Sequence, residues 1–101
     1  MQLFIDASVE KFIRSLGMPA AAKVDRTISL IEEFGYQLSV PHSRHINKGV
    51  FELRVRGKQE IRIFYCFHNN AVYLLHGFIK QSQQTPRKEL DIAFSRMKHL
   101  T

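Results

Sequence analysis

Val50–Ile79, VFELRVRGKQEIRIFYCFHNNAVYLLHGFI, decides how this chain folds. Phe51, Leu53 and Val55 alternate with Glu52, Arg54 and Arg56, the two-residue period of a strand with unlike faces. Gly57-Lys58-Gln59 breaks the run as a turn. A second run, Glu60 to Phe67, sets Ile61, Ile63, Tyr65 and Phe67 against Glu60, Arg62, Phe64 and Cys66. His68-Asn69-Asn70 makes a second turn, because Asn tolerates positive φ, and a third strand follows from Val72 to about Ile79. With residues 57–59 as the loop, Val55 pairs with Ile61, Leu53 with Ile63 and Phe51 with Tyr65, one coherent apolar layer. The opposite, polar face pairs Arg56 with Glu60, Arg54 with Arg62 and Glu52 with Phe64. For His76 the second turn leaves two registers open. A two-residue Asn-Asn turn puts it on the core face; a three-residue turn puts it opposite Arg62, where an imidazole suits acid–base work near neutral pH.

Before the meander the period is helical. Residues 2–5 look extended, and Asp6 can cap a helix running to about Leu16, with Val9, Phe12, Ile13 and Leu16 on one stripe and Gly17 as its stop. Pro19 suits the first turn of a second helix over about 19–34, striped by Val24, Ile28, Ile31 and Phe34. After the meander, Thr85-Pro86 opens a last helix with Leu90, Ala93, Phe94 and Met97 on one face. The expected architecture is α+β: a short strand, a helical hairpin packed on a twisted antiparallel three-stranded meander, and a C-terminal helix, all in one domain over residues 1–101.

Lys and Arg number 15 against 9 Asp and Glu, a net charge of +6 that favours an anionic partner. Cys66 is the only cysteine, which excludes an intrachain disulfide and cysteine-pair zinc sites. His42 and His45 are three apart, but Pro41 and Ser43 argue for a loop there rather than a metal-binding helix. No P-loop, nucleophile elbow or dinucleotide fingerprint occurs, and no apolar run approaches the roughly 20 residues of a membrane span. MQLFID has no basic n-region, so the expected location is cytoplasmic, with no metal, cofactor or membrane partner.

Arg54 directly opposite Arg62 is the informative feature. Like charges across a strand pair repel, whereas two guanidiniums side by side make a fork for phosphate oxygens. The competing reading is local neutralisation, Arg56 by Glu60 and one of the pair by Glu52 or a helix carboxylate. Further cations that can converge there are Arg44, His45 and Lys48 ahead of the first meander strand, Lys80 after the third, and Arg87 and Lys88 in the first turn of the last helix. An enzyme assembled from these residues uses fixed cations to stabilise a charged phosphorane, and RNA supplies its own nucleophile, the 2′-OH.

Gly49-Val50-Phe51-Glu52-Leu53-Arg54, Arg62-Ile63-Phe64-Tyr65, Leu74-Leu75-His76-Gly77-Phe78-Ile79-Lys80 and Thr85-Pro86 to Ala93 together resemble the HigB-like branch of the RelE/ParE toxin superfamily, including its phage-derived members. The likeness is close over the C-terminal half and extends to the N-terminal hairpin only as a pattern. It implies a type II toxin that cuts mRNA on the ribosome without a metal and is neutralised by a cognate antitoxin, in this branch usually a helix-turn-helix protein, in a hetero-oligomeric complex. It implies that Arg54 and Arg62 hold the scissile phosphate and that Lys80 is a nearby cation. His76, Lys80, Lys98 and His99 are the candidates for proton transfer. The RNA-contacting set is then Arg44, His45, Lys48, Arg56, Arg87 and Lys98. Glu52 stands where RelE-type members carry a base, Gln81 replaces a usual lysine, and a C-terminal tyrosine is missing. The alternative implied by the same fold is a non-enzymatic toxin or binding module, either a ParE-like gyrase inhibitor or an inactive toxin kept for antitoxin binding.

Overall fold

The protein is described by a computed structural model over residues 1–100. In chain order the elements are β1 (Gln2–Ile5), α1 (Ala7–Ser15), α2 (Ala20–Phe34), a 3-10 turn (Gly35–Gln37), β2 (Ser43–Asn47), β3 (Val50–Val55), β4 (Ile61–His68), β5 (Ala71–Ile79) and α3 (Arg87–Lys98). The expected helical hairpin, meander and last helix are all present. The meander register is the expected one: Phe51 opposite Tyr65, Leu53 opposite Ile63, Arg54 opposite Arg62 and Val55 opposite Ile61.

Two strands extend the meander at its edges, giving the order β1-β5-β4-β3-β2. β1 lies parallel to β5, so the sheet is mixed rather than wholly antiparallel. β2 lies antiparallel to β3 and corrects the loop expected around Pro41 and Ser43. Its sequence, Ser-Arg-His-Ile-Asn, has almost no apolar alternation to announce a strand. The edge of β3 holds it instead, through ladder bonds and a bond from the Arg54 amide to the His42 carbonyl at 2.8 Å. A hydrogen bond between the Ser43 and Tyr65 hydroxyls ties β2 across β3 to β4. Burial pushes the Tyr65 hydroxyl pKa up, with the Ser43 bond acting against that rise.

Both faces of the sheet are covered. On one, Val9, Val24, Ile28 and Ile31 of α1 and α2 pack on Leu53, Ile63, Tyr65 and Leu74. On the other, Ala93, Leu90, Phe94 and Met97 of α3 close over Val50, Phe64, Cys66, Leu75 and Phe78. The face expected to be polar is therefore a second core. Cys66 lies in it, and burial pushes its thiol up to about 11, which leaves it protonated and unreactive at neutral pH.

β5 carries the largest departure from strict alternation. The turn is the two-residue Asn69-Asn70, both at positive φ, and pairing runs normally from His68–Ala71 to Tyr65–Leu74. A bulge at Leu75 then shifts the register, and His76 pairs with Phe64. Neither register open at the sequence level is adopted. His76 joins the α3 face, two pairs along the ladder from Arg62. Arg96 of α3 clamps the bulge by donating to the Leu75 carbonyl at 2.7 Å and to the Ser8 hydroxyl at 2.7 Å. Beyond the bulge, Gly77 lies under α1: a Cβ there would meet the Phe12 ring at 2.5 Å.

Asp6 caps α1 by accepting from the Ser8 amide at 3.0 Å and from the Ser8 hydroxyl. Partial burial opposes its charge, but the Ser8 bonds and then the Arg96 guanidinium outweigh it and hold the carboxyl below its ordinary 3.8. The group is thus more acidic folded than unfolded. Its stabilisation is complete above the ordinary carboxylate range and is lost as pH falls through the folded value. Asp6→Ala is expected to cost roughly 1 kcal/mol in urea unfolding at neutral pH, a difference that shrinks in acid. Gly77→Ala is expected to cost about 1–3 kcal/mol in the same assay, because the Phe12 ring and its neighbours must shift.

Candidate functional site

Arg54 and Arg62 stand side by side as read from the sequence, and Glu52 makes that possible. Two residues before Arg54 on the same strand face, Glu52 accepts from Arg54 Nε at 3.2 Å and lies 3.8 Å from Arg62 Nε through the same oxygen. Its other oxygen accepts from the Thr85 hydroxyl at 3.4 Å, on the segment leading into α3. Arg62 further donates to Glu60 at 3.0 Å and to the Ile61 carbonyl at 3.1 Å, while its Nε lacks a hydrogen-bond partner among the described residues. The competing reading of local neutralisation is thus partly realised: Glu52, the partner expected for one arginine of the pair, serves both, and Glu60 serves Arg62 rather than Arg56.

Burial separates the two arginines. Arg62 is 3% exposed and Glu52 2%, so neither meets a ligand without movement. The Arg54 side chain is 17% exposed, uses only its Nε on Glu52, and lines an open cleft of about 340 Å³. Around that cleft stand Arg54, Val55 and Arg56 at the end of β3, Lys23, Arg26 and Thr27 on α2, and Pro41 and His42 ahead of β2. No acidic residue is among them. Lys23, Arg26 and Arg56 are exposed and form no ion pair among the described residues. The neutral cluster of Arg54, Arg62, Glu52 and Glu60 thus borders a surface of uncompensated positive charge.

Of the residues singled out from sequence, Arg54 and Arg56 reach this cleft. Lys80 sits half-buried at the same end of the sheet, its amide donating to the Glu60 carbonyl at 2.7 Å. His76 is committed elsewhere. Its Nε2 pairs with Glu89 at 2.7 Å, its Nδ1 lies 3.5 Å from Arg96, and its ring stacks on Phe78 at 17°. That role is orientation of α3 against the sheet. Arg44 lies exposed on β2 opposite Glu52, and His45 packs edge-on against Phe51 at 5.0 Å. Lys48 sits over the Phe94 ring at 5.8 Å, Arg87 pairs with Asp91 at 3.0 Å, and Lys98 is exposed in the last turn of α3. Lys48 and Lys98 belong to the opposite end of the sheet from Arg54.

Lys23, Arg26 and His42 were not expected at the site. The signal for the first two was present in α2, because positions 23, 26 and 27 share a helical face beside the Val24, Ile28, Ile31 stripe. Only the packing of α2 along β3 aims that face at Arg54.

Residues 11–98 match the family described as "Phage derived protein Gp49-like (DUF891)". No curated protein sequence matches the chain. Among solved structures, a chain of the "YoeB-YefM complex from Staphylococcus aureus" is similar at TM-score 0.57 and 12% identity, covering 81% of this chain and 97% of that one. At that identity the likeness is one of fold. No described helix is long and apolar enough to cross a membrane.

Because Glu52 compensates a buried guanidinium, Glu52→Ala is expected to destabilise the protein by about 3–5 kcal/mol, a large part of the roughly 5–15 available to such a domain. Arg54→Ala, at the rim, is expected to cost well under half of that. Urea unfolding of the two variants checks the order; equal losses would show that Glu52 does not carry the pair.

Proposed function

The chain belongs to the phage-derived Gp49-like family, and from that premise we propose that it is the toxin half of a toxin–antitoxin pair, acting as an endoribonuclease on mRNA held by the ribosome. The four motifs that resemble the HigB-like branch of the RelE/ParE superfamily support this reading, as does a fold like that of a chain in the YoeB-YefM complex. The observation that carries it is the cationic cleft, where Arg54 meets Lys23, Arg26, His42 and Arg56 with no acid among the lining residues. Its partners are then the mRNA and a cognate antitoxin of helix-turn-helix type.

Chemistry in such a cleft is transesterification within the RNA. The 2′-oxygen loses its proton and bonds to the adjacent phosphorus, the bond from phosphorus to the 5′-oxygen breaks, and that oxygen takes up a proton. The products are a cyclic phosphate and a free 5′-hydroxyl. Arg54 is the group placed to meet the phosphoryl oxygens as charge builds on them, where a fixed cation out of bulk water is most effective. Arg62 acts behind it as a positioning residue, holding Glu52 and through it the Arg54 guanidinium. Lys23, Arg26 and Arg56 hold the flanking phosphates, an interaction that weakens steeply with salt. Lys80 is the candidate for proton transfer at this end of the sheet, since His76 is engaged by Glu89, His99 by the Ser95 carbonyl, and Lys98 lies at the opposite end.

Induced expression is expected to arrest translation and to leave cuts in translated mRNA mapped by primer extension. Arg54→Ala should lower cleavage about 100-fold at equal protein abundance. A joint Lys23→Gln, Arg26→Gln, Arg56→Gln variant should lower it further and flatten its salt dependence. Growth arrest without cuts, accompanied by signs of DNA damage, would replace this reading with gyrase inhibition. Full toxicity of a folded Arg54→Ala/Arg62→Ala variant would remove the proposed site.

A further inference from the structure

Beside the cationic cleft lies a larger cavity of about 520 Å³ with a different lining. It opens between the α1–α2 connection and the β3–β4 turn. Leu16, Pro19, Ala20 and Ile61 make its walls apolar, and the carboxamide of Gln59 is the uncharged polar side chain among them. The two cavities share Lys23, Val55 and Arg56, so each opens onto the same two cations. Lys23 sits at this boundary: its Nζ lies 3.0 Å from where a Cβ on Gly57 would stand, so the ammonium rests over the β3–β4 turn.

An apolar recess joined to a cationic cleft across a pair of charged side chains has the chemical layout of a nucleotide. We propose that the recess receives one nucleobase of a single-stranded RNA whose phosphates lie along Lys23, Arg56 and Arg54. This deepens the reading given under Proposed function and rests on it for the identity of the polymer. The base is desolvated against Pro19, Ala20 and Ile61, and the Gln59 carboxamide, which both donates and accepts, meets its hydrogen-bonding edge. The cavity is therefore a specificity subsite. A base fixed there sets the register of the strand past Arg54, and with it which linkage is exposed to cleavage. Single-stranded RNA is the occupant the charges favour: an apolar protein segment would leave Lys23 and Arg56 without partners, whereas a polynucleotide compensates both.

The test uses the full chain and 2′-O-methylated hexanucleotides, which a 2′-hydroxyl mechanism does not cut, with binding followed by fluorescence anisotropy at low salt. An abasic residue is moved through the hexamer one position at a time. One position is expected to lower affinity about tenfold, in keeping with the contribution of a single buried base. In Ala20→Phe, whose ring occupies the recess, that penalty should vanish while salt-dependent binding persists. In Gln59→Ala the penalty should remain, but discrimination among the four bases at that position should be lost. A flat abasic scan in the wild-type protein, or absence of binding, overturns the proposal. So does an unchanged penalty in folded Ala20→Phe. Should that variant fail to fold, unchanged base preference in Gln59→Ala overturns it. Failure of the enzymatic reading looks different: the abasic penalty stays and translated mRNA is left uncut. Cuts in mRNA together with a flat scan remove the subsite alone.

Discussion

A carboxylate shared between two guanidiniums and almost out of water is the constraint on which the site depends. Glu52 touches Arg54 and approaches Arg62 through one oxygen, and Thr85 holds the other. Without it, Arg54 and Arg62 would face each other across the β3–β4 ladder as a repelling pair, one of them buried. With it, the pair becomes a rigid, nearly neutral block. Glu60 and the Ile61 carbonyl complete the inner half, and Thr85, ahead of α3, reaches it from outside the sheet. The burial that makes the block rigid also withdraws Arg62 from solvent. Arg54 alone is presented at the rim.

The anion-attracting charge consequently lies elsewhere than in the arginine pair. It comes from Lys23 and Arg26 on α2, Arg56 at the end of β3 and, when protonated, His42 ahead of β2. These side chains are exposed, while Arg54 among them is anchored on Glu52. That division suits a site that must attract a long polyanion and fix one linkage of it. The apolar recess next door adds a way of choosing which linkage. The clamp of His76, Glu89 and Arg96 on the β5 bulge ties α3 to the same face of the sheet.

Much of this was legible in the chain. Alternation from Phe51 to Phe67 and a three-residue loop leave one hairpin register that buries the large apolar side chains, so the Arg54–Arg62 pairing followed from local rules. Asp6, Gly17 and Gly35 marked helix ends by their backbone and capping chemistry. β2 was not legible, because an edge strand is held by a neighbour's ladder and carries little pattern of its own. Nor was the place of His76. A bulge inserts one residue without altering composition, and here it leaves Leu75 and His76 in succession on the α3 face, which alternation does not foretell. That the polar face of the hairpin carries a second core was not legible for a related reason: periodicity separates two faces but does not say whether a later helix will pack on the more polar one.

The sequence by itself determined the three helices, the meander and its register, the basic balance and the confrontation of two arginines, because each is written in residues close along the chain. The tertiary structure decided which arginine is buried, which carboxylate neutralises the pair and which cations gather around the one left at the surface. Those outcomes depend on how α2 and α3 are rotated against the sheet. That rotation is set by the simultaneous packing of two apolar cores, to which residues from both ends of the chain contribute.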